Sequence, residues 1–408
     1  MAVLEGFLEL GLDAWLLVGN KSGNHSRVLT FYESPFFNYL PYDDARLTRE
    51  IERQRSSDLA LGIEDFNHPY SHWISEMTGS PPDLVLCHNL HGGYFDLRAL
   101  AKLSGRMPVA LRLFDTWLQA GHCAYSLGCE RWLDGCGACP DLTIPPSISR
   151  DASRFNLQRK RNILQKSQLF ISAESQWMLD RAKQSVLGAA AIEWRHIPAG
   201  VDLDIFFPDA QDAARQRLGL EPGATLLLYV ANQGSANRYK DFDTVRRALA
   251  ALPRREQERG IVLLVAGSNA PDEEIAPNIL ARHVGYIESR QSLADFYRAA
   301  DIVIHSAFEE TFGNIVAEAM ACGIPVVTAS GGGVLELIDH GRTGLAVPPG
   351  DPARLADAIA HLLEIPAARA AMGIAAAQAM RRGFDRRAMI QNLYTWCGEI
   401  YSAWHASR

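Results

Sequence analysis

The chain has 408 residues, 48% of them apolar and 21% charged, so wholesale disorder is excluded and a packed core is expected. With 40 basic against 47 acidic residues the formal charge is −7, which argues against a general nucleic-acid binder. At roughly 150 residues per domain the length suggests two or three domains, and no apolar run reaches the roughly 18 residues that a bilayer-spanning helix needs. The apolar stretch within residues 1–20 is interrupted by Glu5, Glu9 and Asp13 with no basic segment ahead of it, so it does not read as a secretory signal. Seven cysteines are too few for a disulfide scaffold, and four of them cluster, which points to local chemistry in a reducing, cytoplasmic setting.

Taken in chain order, the first half opens on a predicted helix at 2–10 and a strand at 14–18. A strand at 84–87 is followed by a Gly-Gly turn and a helix, and 108–113 and 169–173 read as further strands. Residues 114–148 are rich in Gly, Pro and Cys and carry no periodicity; an excursion of that length is usually functional or stapled. From 150 to 166 six basic residues stand against one acidic residue. The apolar Phe155, Leu157, Ile163 and Leu164 do not share one helical face, so this segment reads as a solvated helix.

Ile197-Pro198-Ala199-Gly200-Val201-Asp202, followed by Phe206 and Pro208, reads as a linker between two αβ arrays. Beyond it, strands at 225–230, 261–266, 282–286, 301–305, 324–328 and 344–347 alternate with helices near 240–250, 290–299, 314–321 and 333–338. That alternation is the signature of βα units and a parallel sheet. After Asp351 the chain is Ala-rich and helical to its end, with breaks near Pro366 and Gly383.

Residues 301–333 carry the most chemistry. A loop over 307–313, beyond the end of a strand, delivers a helix N-terminus at Asn314, a natural diphosphate site. Gly313 lets the backbone come close to a ligand. Glu310 lies on that loop and Glu318 just over one turn into the helix, where a carboxylate can take both hydroxyls of a ribose. By spacing alone Glu318 reads equally as a solvated helix face and Glu310 as a helix-dipole partner.

In the first half, Cys87-His88-Asn89-Leu90-His91-Gly92-Gly93 follows a strand and precedes a helix. Gly92 and Gly93 permit close backbone approach, and His91 on such a loop can bond a sugar or act as a base. A loop histidine satisfied by backbone is the plainer alternative. Cys123, Cys129, Cys136 and Cys139 fall within 17 residues, and the last two have chelate spacing. Four thiolates would make a closed, structural zinc site; four reduced thiols are the alternative.

Glu310-Thr-Phe-Gly-Asn-Ile-Val-Ala-Glu318-Ala-Met-Ala-Cys-Gly-Ile-Pro, then Gly331-Gly332-Gly333 with Glu336, then Gly341-Arg-Thr-Gly-Leu, resembles the retaining glycosyltransferase family 4, of GT-B fold. Ile197–Asp202 matches that family's interdomain segment, with Ala199 in place of the usual Asn, and Lys240 matches its phosphate-binding Lys. The resemblance is strong over 170–360 and looser before it. It implies an α/β protein of two Rossmann-like domains facing across a cleft: 1–199, with the C-terminal helix 388–408 packed back on it, and 200–387. It also implies transfer of a sugar, with retention, from a GDP- or UDP-sugar to a glycan or lipid-linked glycan in surface polysaccharide or glycoconjugate biosynthesis, without a catalytic metal. Glu310 would contact the donor sugar hydroxyls, beside the Phe312 and Gly313 amides and Asn314. Glu318 would hold the ribose, and Lys240 would neutralise the departing diphosphate. Arg238 could assist, although the family's usual Arg lies several residues earlier, where this chain has Gly234.

Phe114-Asp115-Thr116-Trp117 and then Gly121-His122-Cys123 resemble a polysaccharide-assembly subgroup of that family, with Phe114 where the subgroup has His. His122 or Asp115 is then expected to take over that histidine's contact with the donor sugar. Family members with lipid-linked acceptors often carry a basic N-domain surface, so the 150–166 segment also allows peripheral contact with the cytoplasmic membrane face. The family fold begins with a strand and a Gly-rich loop, whereas Met1 leads at once into a helix. An N-terminal sheet lacking its first strand, and weak activity of the chain as written, are therefore expected. A catalytically weak or inactive GT-B partner or glycan-binding subunit is the alternative; an epimerase- or phosphorylase-like enzyme is disfavoured by the Glu310/Glu318 set.

Overall fold

The computed structural model describes residues 1–31, 45–257 and 260–406. Two compact units divide the chain: Met1–Ile197 with Ile390–Arg408, and Pro198–Met389. Among the described residues no single helix is long and apolar enough to cross a membrane.

The first unit holds α1 (Ala2–Glu9), β1 (Leu16–Val18), β2 (Val28–Thr30), α2 (Ala45–Ala60), β3 (Val85–His88), α3 (Ala99–Ser104), β4 (Val109–Leu113), α4 (Ser153–Leu164), β5 (Leu169–Ala173), α5 (Gln176–Gln184) and β6 (Ala191–His196). Strands β3 to β6 form a parallel four-stranded sheet in sequential order, and β1 and β2 pair in a separate parallel ribbon. Among the described residues no ladder joins the two. The short β2 and the edge strand β6 escape sequence reading. β6 is nowhere fully buried, so its Ala-Ile-Glu-Trp-Arg-His run shows no clean alternation.

Helix α4 corrects an expectation. Ser153, Asn156, Leu157, Lys160 and Leu164 are all buried, a spacing that puts them on one face of a 3.6-residue helix. The basic segment is therefore not a solvated helix, because its fourth cation, Lys160, lies fully inside.

The second unit contains α6 (Gln211–Arg217), β7 (Thr225–Val230), α7 (Phe242–Ala250), α8 (Arg254–Gln257), β8 (Ile261–Ala266), β9 (Glu273–Ala276), β10 (Ile279–His283), α9 (Arg290–Ala299), β11 (Ile302–Glu310), α10 (Asn314–Ala321), β12 (Val326–Gly332), β13 (Leu345–Val347), α11 (Pro352–Glu364) and α12 (Pro366–Gly383). Its sheet runs β13-β12-β11-β7-β8-β10-β9, parallel except for the edge strand β9. Central strands β7, β8 and β11 read as continuous apolar runs because helices cover both faces. Two elements differ from expectation. The strand expected at 282–286 lies at Ile279–His283, and the segment 333–338 is a 3-10 turn, Gly333–Leu337.

The last helix, α13 (Arg386–Ala406), ends in the first unit, where Ile390, Leu393, Trp396, Ile400 and Trp404 are buried. There Trp396 Nε1 donates to Glu193 of β6 at 3.2 Å, and Arg195 pairs with Glu399 at 2.8 Å.

Gly313 joins β11 to α10 with φ +94°, and a Cβ there would stand 2.6 Å from Val334 Cγ2. Both conditions exclude an L side chain. Gly313→Ala should destabilise the protein by about 1–3 kcal/mol, read as a lower denaturant midpoint with unchanged m-value.

Candidate active site

Strand β11 continues to Glu310, five residues past its expected end at His305. Ala307 pairs with Ser330 and, after an irregularity, Glu310 pairs with Gly332. The loop expected over 307–313 is thus mostly strand, and Glu310 is fixed on a sheet rather than carried by a flexible turn. It sits at the C-terminal ends of the parallel strands, where ligands of such sheets bind.

Lys240 reaches the same place from the other side. It closes a 3-10 turn, Arg238–Lys240, started by Asn237, whose Oδ1 accepts from Tyr239 N at 3.0 Å. The Lys240 carbonyl accepts from Tyr229 OH at 2.7 Å and from Ser306 Oγ at 2.6 Å, so β7 and β11 both hold the turn. Lys240 Nζ donates to Glu310 Oε2, and His305 Nε2 stands 3.5 Å from the same oxygen. Burial raises the Glu310 carboxyl, but the Lys240 ammonium and then His305 outweigh it and hold the pKa at about 2. His305 is itself buried, its Nδ1 2.9 Å from Thr328 Oγ1, and burial lowers its pKa.

Helix α10 starts at Asn314 with Gly313 as its cap, and no side chain caps its first N–H groups. Those donors and the positive end of the helix dipole suit an anion. Phe312 contributes only backbone here. Its ring is buried 5.9 Å from that of Phe384, as part of the core. Arg238 lies exposed, its guanidinium 5.7 Å from the Tyr239 ring.

Glu318 lies one turn into α10, where Tyr297 OH donates to its Oε2 at 3.1 Å. Burial pushes its pKa up to about 7, against the opposing pull of Tyr297 and Arg290. The plain reading of Glu318 as a solvated helix face does not hold.

The first unit carries a second set of polar groups at the C-terminal ends of β3 and β4. His91 Nε2 stands 2.7 Å from Asp115 Oδ2, and Asp115 Oδ1 accepts from Trp117 N at 2.9 Å. The His91 and Trp117 rings lie 5.6 Å apart. Gly92 and Gly93 follow with φ of +104° and +78°, and among the described residues no atom lies closer than 3.7 Å to a Cβ built on either.

His122 is not part of that set, contrary to one sequence expectation. It is buried, with Nδ1 3.0 Å from the Pro146 carbonyl and Nε2 3.3 Å from Cys139 Sγ. It lines one small cavity together with Cys123, Cys129, Cys136 and Cys139. None of the four is in a disulfide, and burial pushes Cys123 up to about 12 and raises Cys136 and Cys139. Among the described residues no three His, Cys, Asp or Glu side chains are arranged to hold a metal ion.

Several supporting residues escape sequence reading. His305, Tyr297, Tyr229 and Ser306 read there as ordinary strand and helix residues, because only the folded sheet brings them to Glu310, Glu318 and Lys240. Glu64 and Lys160 are further examples.

Comparison with known proteins places this geometry in a class. The two Rossmann-like units are those of the GT-B fold. Sucrose-phosphate synthase from Thermosynechococcus elongatus superposes over all of the chain and 92% of its own, with a TM-score of 0.65 at 20% identity. Anabaena HepE in complex with UDP gives 0.58 over 81% and 82% at 19% identity. WaaG, a glycosyltransferase involved in lipopolysaccharide biosynthesis, gives 0.58 over 96% and 93% at 13% identity.

Within that fold, residues 224–365 match the family model described as glycosyl transferases group 1. The D-inositol 3-phosphate glycosyltransferase 2 of Catenulispora acidiphila is 40% identical over 180 residues, 41% of this chain and 42% of that protein. The D-inositol 3-phosphate glycosyltransferase of Kribbella flavida is 35% identical over 207 residues, 48% of each. The matches span less than half the length of these curated relatives.

Proposed function

We propose that the chain is a glycosyltransferase taking a sugar from a nucleoside diphosphate sugar, with retention of configuration, to a glycan or lipid-linked acceptor. The observation that carries this reading is the meeting of Lys240 and Glu310 beside the uncapped start of α10. In the proposed step the anomeric carbon–oxygen bond to the diphosphate breaks as the bond to the acceptor oxygen forms, through an oxocarbenium-like transition state. Negative charge builds on the departing phosphate, and a fixed ammonium with helix N–H groups stabilises it. Glu310, kept ionised, accepts from donor sugar hydroxyls, and Glu318 takes the ribose hydroxyls. On the first unit, His91 with Nε2–H given to Asp115 keeps a lone pair on Nδ1 for an acceptor hydroxyl.

A uridine donor is favoured by HepE, whose solved complexes contain UDP and UDP-glucose. The test is nucleotide release from a panel of UDP- and GDP-sugars, with and without glycan, lipid-linked and inositol phosphate acceptors. Turnover with at least one donor supports the reading. Release from none, by folded protein, leaves the inactive GT-B subunit in its place.

Glu318 gives this site a pH dependence. Its ionised form accepts two hydroxyls and its protonated form does not, so nucleotide affinity should rise as pH passes through about 7. Because apparent affinity scales with the competent fraction, a gain of about tenfold is expected between pH 6 and 8. For folding the sign is opposite: a carboxyl raised from 4.5 to about 7 contributes stability that is lost as pH rises through that window. Calorimetric titration of UDP and GDP at several pH values checks this, and Glu318→Gln should flatten the profile.

A further inference from the structure

The His91–Asp115 pair rests on a buried ion pair that the proposed mechanism does not use. Lys160 is fully buried on α4, and Glu64 is 7% exposed. Lys160 Nζ lies 3.1 Å from Glu64 Oε1, 2.8 Å from the Trp117 carbonyl and 2.9 Å from the Ala120 carbonyl. Three acceptors match the three protons of an ammonium. Burial alone pushes Glu64 up and Lys160 down, and their mutual attraction opposes both shifts.

Both members of the pair contact Trp117. Its Nε1–H donates to Glu64 Oε1, its carbonyl accepts from Lys160, and the ammonium sits 4.0 Å from its ring centroid. Side chain and main chain of one residue are thus both held by the same ion pair. Glu64 is anchored in turn, its N–H donating to Asn156 Oδ1 at 3.1 Å and its carbonyl accepting from Arg159 at 2.7 Å. Trp117 also reaches the site: its backbone N–H donates to Asp115 Oδ1, and its ring centroid lies 5.6 Å from that of His91.

We propose that Glu64 and Lys160 are positioning residues that hold Trp117, and through it the His91–Asp115 pair, in one rotamer and one tautomer. A residual hydrophobic core could hold Trp117 in place but would not orient its N–H groups. A buried pair with matched acceptors fixes direction as well as position. The inference rests on the proposed role of His91 for its effect on turnover, but not for its effect on the His91 ring.

The experiment uses full-length protein with 15N-labelled histidine side chains. Wild type should show a slowly exchanging Nε2–H signal for His91, identified by its loss in His91→Gln. In the double variant Glu64→Gln/Lys160→Met that signal should broaden or vanish, and kcat should fall about tenfold or more with unchanged nucleotide affinity. Trp117→Phe, which keeps an aromatic ring and the carbonyl but removes the indole N–H, should weaken the signal and lower kcat severalfold. It decides the matter should the double variant fail to fold. Loss of the signal with normal kcat would uphold the positioning and remove His91 from the transfer step. A folded variant that keeps the wild-type His91 signal would overturn the inference.

Discussion

Replacing Lys240 by alanine should lower turnover by about 10²–10³-fold, the effect of removing one preorganised charge that acts where charge develops. The ammonium is held at two points: its backbone by Tyr229 and Ser306, its Nζ by Glu310. In the proposed role it would therefore meet the departing phosphate with little reorganisation. Lys240→Ala also strands the Glu310 carboxylate, whose low pKa depends on that neighbour after burial has raised it. In the proposed role Glu310→Gln should fall by about 10²-fold as well, since a neutral amide would replace a carboxylate that orders Lys240 and is proposed to accept sugar hydroxyls. Steady-state kinetics with the active donor separates the two losses. The pair lies at the C-terminal end of β11 with only 20% and 14% of the side chains exposed, so Lys240→Ala, which leaves the carboxylate without its ammonium, should also lower stability, and Glu310→Gln should do so less.

The largest effect on stability is expected from Lys160→Met. Breaking a buried ion pair by removing one partner leaves an uncompensated charge and typically destabilises by about 3–5 kcal/mol. Here it also deprives the Trp117 and Ala120 carbonyls of their donor. Adding Glu64→Gln to Lys160→Met should recover much of that loss, because no buried charge then remains. Urea denaturation of the single and double variants checks the pattern, and the two losses should be far from additive.

Much of the second unit is legible in the sequence because its strands are continuous apolar runs between helices of regular length. Residues 225–230 and 261–266 match β7 and β8 end to end. The end of β11 is not legible, since Phe308-Glu309-Glu310 lacks the apolar pattern of a strand and is held there by pairing with β12. Glu310, Glu318 and Lys240 announce themselves through motif and spacing. His305 and Tyr297 do not, because a residue that braces another is recognisable only once both are placed.

Lys160 is a different case. Counting basic residues hides it, whereas the spacing of Ser153, Leu157, Lys160 and Leu164 would have put it on the buried face of α4. Its partner Glu64 lies 96 residues away in sequence, beyond the reach of any local pattern. The clustered cysteines are legible as a group in the sequence, and the fold brings all four, with His122, to the lining of one cavity.

The central claim is that the start of α10, with Lys240, Glu310 and Glu318, binds the nucleoside diphosphate of a sugar donor. Calorimetric titration of UDP and GDP into wild type and into the Lys240→Ala and Glu318→Ala variants tests it most directly. At pH 8, one nucleotide should bind at a single site, with affinity reduced in the Glu318 variant by about 1–3 kcal/mol for its lost hydroxyl bonds. Lys240→Ala should weaken the diphosphate more than the corresponding nucleoside. Binding of neither nucleotide to the folded protein, or equal affinity in all three proteins, would contradict the assignment.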